Sequence, residues 1–328
     1  MFDLPVYIQT LSWLGRPRIH GDAAWIERSV TQGGWDARGS WPYGSWPNDA
    51  FIHALMDQGN DLLEGPKLLS WTGVIRPDSV LAADYSVPLN RLRQQCPAHL
   101  RILKQHLACM PDQPSPRLSY SRRTRSRLRS ASAQFEVDTR CTSTCAHLIA
   151  SLQNQVCKAR SIPHNSSPDL QHFAGIEALA SNNRPDIRII TILDRLTDEV
   201  PGALILIKAE NPLGWHAHTA VCTAEARMRF GSHLLFDTAL ELSEDLPIWW
   251  GGQPSGSGTN GLWTFKSRFS NHTSPAYLLS LDLDLTGLDR IRAGLKTSTW
   301  LPDYRDPSTE MSPCIPTDIS NTLIKARI

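Results

Sequence analysis

Apolar and polar positions change period several times along this chain. A helix is predicted from Asn48 or Asp49, a capping residue followed by Phe51, Ile52, Leu55 and Met56 at spacings of three and four. Residues 89–110 also repeat at helical spacing, with Pro97 near a break or first turn and Pro111, Pro114 and Pro116 ending the segment. In the run that follows, Arg123, Arg125, Arg127 and Arg129 alternate as they would on one face of a strand. From Thr142 the pattern becomes a capped helix with Cys145 in its first turn and Leu148, Ile149 and Leu152 on its buried stripe. Apolar runs at 187–193, 203–208, 218–223 and 234–237 then read as strands, and a Gly- and Ser-rich segment at 251–261 precedes another strand at 277–285.

A helix followed by consecutive strands predicts an α+β fold, with the Cys145 helix packed on an antiparallel sheet. The prolines at 111–116 suggest a division into a Trp-rich, partly helical region over 1–115 and an α+β domain with a polar tail over 116–328. Six of the eleven tryptophans (13, 25, 35, 41, 46 and 71) lie in the first part. They suit a stacking surface for sugars or bases, but aromatic side chains pinning irregular loops to the core are the commoner arrangement.

Composition narrows the function classes. The 328 residues are 41% apolar and 20% charged, which is globular rather than disordered or coiled-coil. With 33 basic against 32 acidic side chains, bulk charge gives no reason to expect nucleic-acid or membrane binding, so any such contact needs a local patch. The arginine face is one such patch, able to hold a tRNA or another polyanion, although a solvated edge or linker is the commoner use of such a run. No stretch is apolar enough to span a bilayer, and the first residues lack the pattern of a secretory signal. The expected location is the cytoplasm, or export without a classical signal peptide. Seven cysteines without a CxxC motif fit reduced thiols better than disulfides or structural zinc. His216 and His218 could share a metal from one strand face, but a third ligand at suitable spacing is missing, so no metal and no cofactor are expected.

Chemistry converges on three residues. A thiol at a helix start gains thiolate character from the helix dipole, which singles out Cys145, with Cys141 as its competitor. His218 opens a predicted strand, pointing away from Thr219, and Asp237 ends the next, where a hairpin would let the carboxylate orient the imidazole. At Trp215-His-Ala-His-Thr-Ala220 and Asp237-Thr-Ala-Leu240 the sequence resembles the His/Asp hairpin of protein-glutaminases, papain- and transglutaminase-like deamidases. The resemblance covers about residues 138–245 and implies a papain/transglutaminase-like core. It also implies Cys145 as nucleophile, His218 as base, Asp237 as orienting group and a protein or peptide substrate carrying glutamine. Trp215 would border that substrate. The same thioester chemistry could end in hydrolysis or in transfer to an amine. One alternative is therefore an amide-forming transferase using a charged tRNA or a thioester, its polyanion held by Arg123, Arg125, Arg127 and Arg129. Another is a binding protein without catalysis.

Overall fold

The computed structural model describes residues 5–21, 23–30, 33–40, 47–57, 67–75, 86–139, 145–159, 168–181, 186–210, 213–243, 245–254 and 261–293. The chain forms two compact units. The first comprises the described residues up to 104 and from 275 to 293, and the second those from 105 to 274.

In the first unit a short helix α1 (Pro5–Gln9) leads into three antiparallel strands, β1 (Arg16–His20), β2 (Ala23–Ser29) and β3 (Trp35–Arg38). Helix α2 (Asp49–Asp57) starts where its capping signal places it, with the Asn48 side chain accepting from the Phe51 N–H at 2.8 Å. It crosses to β4 (Leu68–Ile75), which runs parallel to β3. Every residue of β4 is buried, so this strand reads as a continuous apolar run rather than an alternating one. Trp71 lies across its own strand: a Cβ on Gly73 would come within 2.2 Å of the indole, and one on Gly39 within 2.8 Å. Phe51 of α2 meets Trp25 and Trp71 edge-on, with ring centroids 6.1 and 5.6 Å apart. These described tryptophans therefore pin core. Trp41 and Trp46 lie outside the described residues.

The segment predicted as one helix over 89–110 divides. Helix α3 (Ser86–Arg93) ends before Pro97, and residues 98–109 form β5 (Ala98–Cys109). The proline lacks the N–H that would continue a helix, and pairing in a sheet then outweighs the local helical spacing. The chain passes from the first unit to the second within β5, and returns within β11 (His272–Asp282), which runs antiparallel to β4.

In the second unit Ser121 caps α4 (Arg122–Gln134), accepting from the Thr124 N–H at 3.1 Å, and β6 (Phe135–Asp138) follows. The predicted arginine strand is thus a helix, because the cap and thirteen residues free of proline and glycine favour helical over extended backbone. Helices α5 (Cys145–Ala159) and α6 (Leu170–Ser181) precede a second antiparallel meander: β7 (Ile187–Asp194), β8 (Gly202–Glu210) and β9 (Leu213–Cys222). Helices α7 (Ala224–Met228) and α8 (Gly231–Glu241) cross to β10 (Ile248–Pro254), which is parallel to β9. Strands β10-β9-β8-β7-β6 are neighbours in that order. Short helices α9 (Gly261–Lys266) and, in the first unit, α10 (Leu285–Arg292) complete the described helices.

Leu204 and Leu206 of β8 join a core cluster with Leu234, Leu235, Phe236 and Ala239 of α8. At about 1.5–3 kcal/mol for each fully buried aliphatic or aromatic side chain, this face anchors the unit. It also decides residues 234–237, which are helical rather than the predicted strand. Leu235, Phe236, Ala239 and Leu240 recur at three- and four-residue intervals and bury one side of α8.

Both units thus repeat one connectivity: three antiparallel strands, a helical crossover and a fourth strand parallel to the third. A parallel, helix-crossed pair has no place in the expected papain-like arrangement of one helix on an antiparallel sheet. That fold class is corrected to a mixed sheet with helices.

Candidate functional site

Strand β9 departs from regular pairing at His218. Thr219 stands opposite Ile205 and Ala217 opposite Leu206, so His218 is the extra residue of a bulge. Adjacent strand side chains normally point to opposite faces, but here His218 Nδ1 lies 2.8 Å from Thr219 Oγ1. His218 Nε2 is 3.3 Å from Nε2 of His172 on α6, and the two rings stack with centroids 5.1 Å apart. Both residues are buried. One ring must donate and the other accept, so at most one proton occupies the line between them. Burial first, and then the neighbouring His172, hold the His218 pKa well below the usual histidine range, so the imidazole is neutral at ordinary pH. Farther along the strand, β9 and β10 are registered only at Trp215 with Ile248 and His216 with Trp249. His216 is buried and stacked on Trp249, with ring centroids 6.4 Å apart.

Cys145 does begin a helix and is buried, and its backbone N–H donates to Glu177 Oε1 at 3.0 Å. Cys141 lies outside the described residues. Asp237 sits on α8, not at the end of a hairpin, where it accepts from the Tyr120 hydroxyl at 2.8 Å and from Arg117 Nη2 at 3.2 Å. The structure therefore gives His218 and Asp237 different partners: a histidine and a threonine for the first, an arginine and a tyrosine for the second. Trp215 is a core residue at 1% exposure, with the Arg188 guanidinium 4.5 Å from its ring centre.

The four arginines do not act alike. Arg125 donates to the carbonyl oxygen of Tyr120, while Arg127 lies over the ring of Phe230. Arg123 and Arg129 are exposed. Sequence reasoning missed His172, which no motif marks.

Among the described residues, no group of three His, Cys, Asp or Glu is placed to hold a metal ion, and no helix is long and apolar enough to cross a membrane.

No protein-family model matches the sequence, and comparison with curated proteins gives no match. The fold, in contrast, is found among solved structures. The chain is similar to FemX, with a TM-score of 0.62 and 12% identity over 89% of this chain and 94% of that one. It is also similar to a conserved protein of unknown function from Bacteroides thetaiotaomicron, with a TM-score of 0.56 and 10% identity over 85% and 90% of the two chains. L-PGS from Bacillus licheniformis gives a TM-score of 0.52 and 13% identity over 86% and 88%. At these identities the likeness establishes a shared fold. It is not the fold of papain- or transglutaminase-like deamidases, and the resemblance drawn from the His and Asp segments is corrected accordingly.

Proposed function

We propose that the chain is an acyl- or aminoacyl-transferase, joining an amine to a carboxyl group activated as a thioester or as a tRNA ester. The observation that carries this reading is the FemX-type acyltransferase fold, shared over nearly the full length of both chains. The basic helix α4 supports it, since it offers a surface to a phosphate-bearing donor.

In this reading the amine nitrogen attacks the activated carbonyl carbon, an amide bond forms, and the thiol or ribose oxygen leaves. The amine must lose a proton on the way, and a neutral imidazole can take it. His218 is our choice for that acceptor, supported by its bulged position on β9. Cys145 has no covalent role in this scheme, because the donor arrives already activated.

The test offers the protein labelled aminoacyl-tRNAs and acyl thioesters together with amine acceptors. Transfer of label to the amine, undiminished by Cys145→Ala, is expected. Transfer that requires the thiol, or no transfer from either donor class, overturns the proposal.

A further inference from the structure

Within the second unit, Arg127 of α4 meets a buried histidine of α8. The Arg127 guanidinium carbon lies 5.2 Å from the centre of the Phe230 ring, and Phe230 is held in left-handed backbone with φ of 67°. Arg127 Nη1 is 3.4 Å from Nε2 of His233. His233 is itself enclosed by Phe230, Phe265 and Phe269, with ring centroids 5.7, 5.0 and 6.0 Å away. Arginine has only donors to offer, so His233 Nε2 must be the nitrogen with the free lone pair and Nδ1 must carry the proton. Burial first, and then the charges of Arg127 and Arg268, push the His233 pKa down to about 4, which keeps that neutral tautomer in place.

Arg123 stands one turn before Arg127 on α4, and Arg268 is the neighbour of Phe269, whose ring packs on His233; after its own desolvation, the charges of Arg123 and Arg268 lower the pKa of Arg127. Among the described residues no carboxylate forms an ion pair with Arg123, Arg127 or Arg268. Asp237, one turn farther along α8, is held by Arg117 and Tyr120. Like charges held near one another repel, and an arriving anion relieves that repulsion.

We infer that Arg123, Arg127 and Arg268 form a phosphate-binding site, and that His233 is its positioning residue, accepting a hydrogen bond from Arg127 and fixing the direction of the guanidinium. The phosphates are those of the acyl donor, an assignment that rests on the transferase reading; the site itself does not. Arg125 is excluded because it is turned to the Tyr120 carbonyl. A tRNA backbone and the phosphates of a nucleotide-linked thioester present the same chemistry.

The experiment measures binding of labelled tRNA and of 3′,5′-adenosine diphosphate across a salt series. Arg127→Ala and Arg268→Ala each weaken binding roughly tenfold and reduce the salt slope for tRNA by about one, while Arg125→Ala stays near wild type. His233→Gln, whose amide oxygen can accept, keeps affinity, whereas His233→Leu loses roughly three- to tenfold. Arg268→Ala, a change near the surface, keeps the test decisive should His233→Leu fail to fold. Competition by the nucleotide marks a thioester donor, and binding of tRNA alone marks an RNA donor. Equal losses for Arg125→Ala and Arg127→Ala, or identical behaviour of the two folded His233 variants, overturn the inference. Transfer activity and donor binding indifferent to every variant sink the site alone. Phosphate binding with the expected pattern but no transfer sinks the transferase reading alone.

Discussion

The Tyr120 hydroxyl donates a 2.8 Å hydrogen bond to Oδ1 of Asp237, and Arg117 contacts both oxygens of the same carboxylate. This ties the segment before α4 to α8 and leaves Asp237 a structural partner. Removing the carboxylate strands a buried phenol, so Asp237→Ala is expected to cost about 1–3 kcal/mol in urea unfolding and to leave transfer chemistry within roughly twofold. Abolished activity at unchanged stability would return Asp237 to a catalytic role.

Burial and the charge of Asp237 raise the Tyr120 phenol well above its ordinary range. A raised pKa stabilises the fold below the unfolded value, near 10, and the contribution is lost as pH rises beyond it. Tyr120→Phe should therefore flatten the alkaline limb of a stability-pH curve. An unchanged limb would show that the phenol does not govern it.

The His172–His218 pair predicts the opposite slope on the acid side. His218 is depressed in the folded state, and His233 is lowered to about 4. The unfolded chain thus takes up protons that the native state refuses, so stability falls as pH drops below about 6.5. His172→Phe keeps the burial but removes the electrostatic effect of the second imidazole, so the His218 pKa rises and the acid limb of the kcat profile for transfer should move to higher pH. A profile that does not move would separate His218 from proton transfer.

Cys145→Ala tests the corrected reading directly. The side chain is buried but small, so a loss of about 1 kcal/mol is expected from thermal unfolding, with kcat retained within roughly twofold. Loss of transfer in a folded variant would make the thiol catalytic after all.

In the first unit Arg28 and Asp36 form a buried pair, with Nε to Oδ1 at 3.0 Å and Nη2 to Oδ2 at 3.4 Å. Asp36→Ala removes the carboxylate from a buried guanidinium and should cost about 3–5 kcal/mol. Gly73→Ala drives a methyl group into the Trp71 indole and should cost about 1–3 kcal/mol. Denaturant titration followed by tryptophan fluorescence reads both, and wild-type midpoints would contradict the packing described for β2, β3 and β4.

Local signals determined the parts of this protein that depend on neighbours in sequence. Asn48 capped its helix, Cys145 opened one, and the apolar runs of β7 and β8 are strands because isoleucine and leucine dominate them. Tertiary structure decided the segments whose pattern served two periods. Residues 98–109 became a strand in a sheet, and 234–237 became helix because Leu235, Phe236, Ala239 and Leu240 needed a single buried face. The arginine run likewise took up a capped helix, separating Arg125 from Arg127 and bringing Arg127 near Arg268, which lies well over a hundred residues away. The meeting of His172 with His218 and the repeated strand connectivity leave no motif in the sequence. Side chains far apart in the chain are brought together only by packing, and a shared path through space can persist when few of the residues along it remain the same.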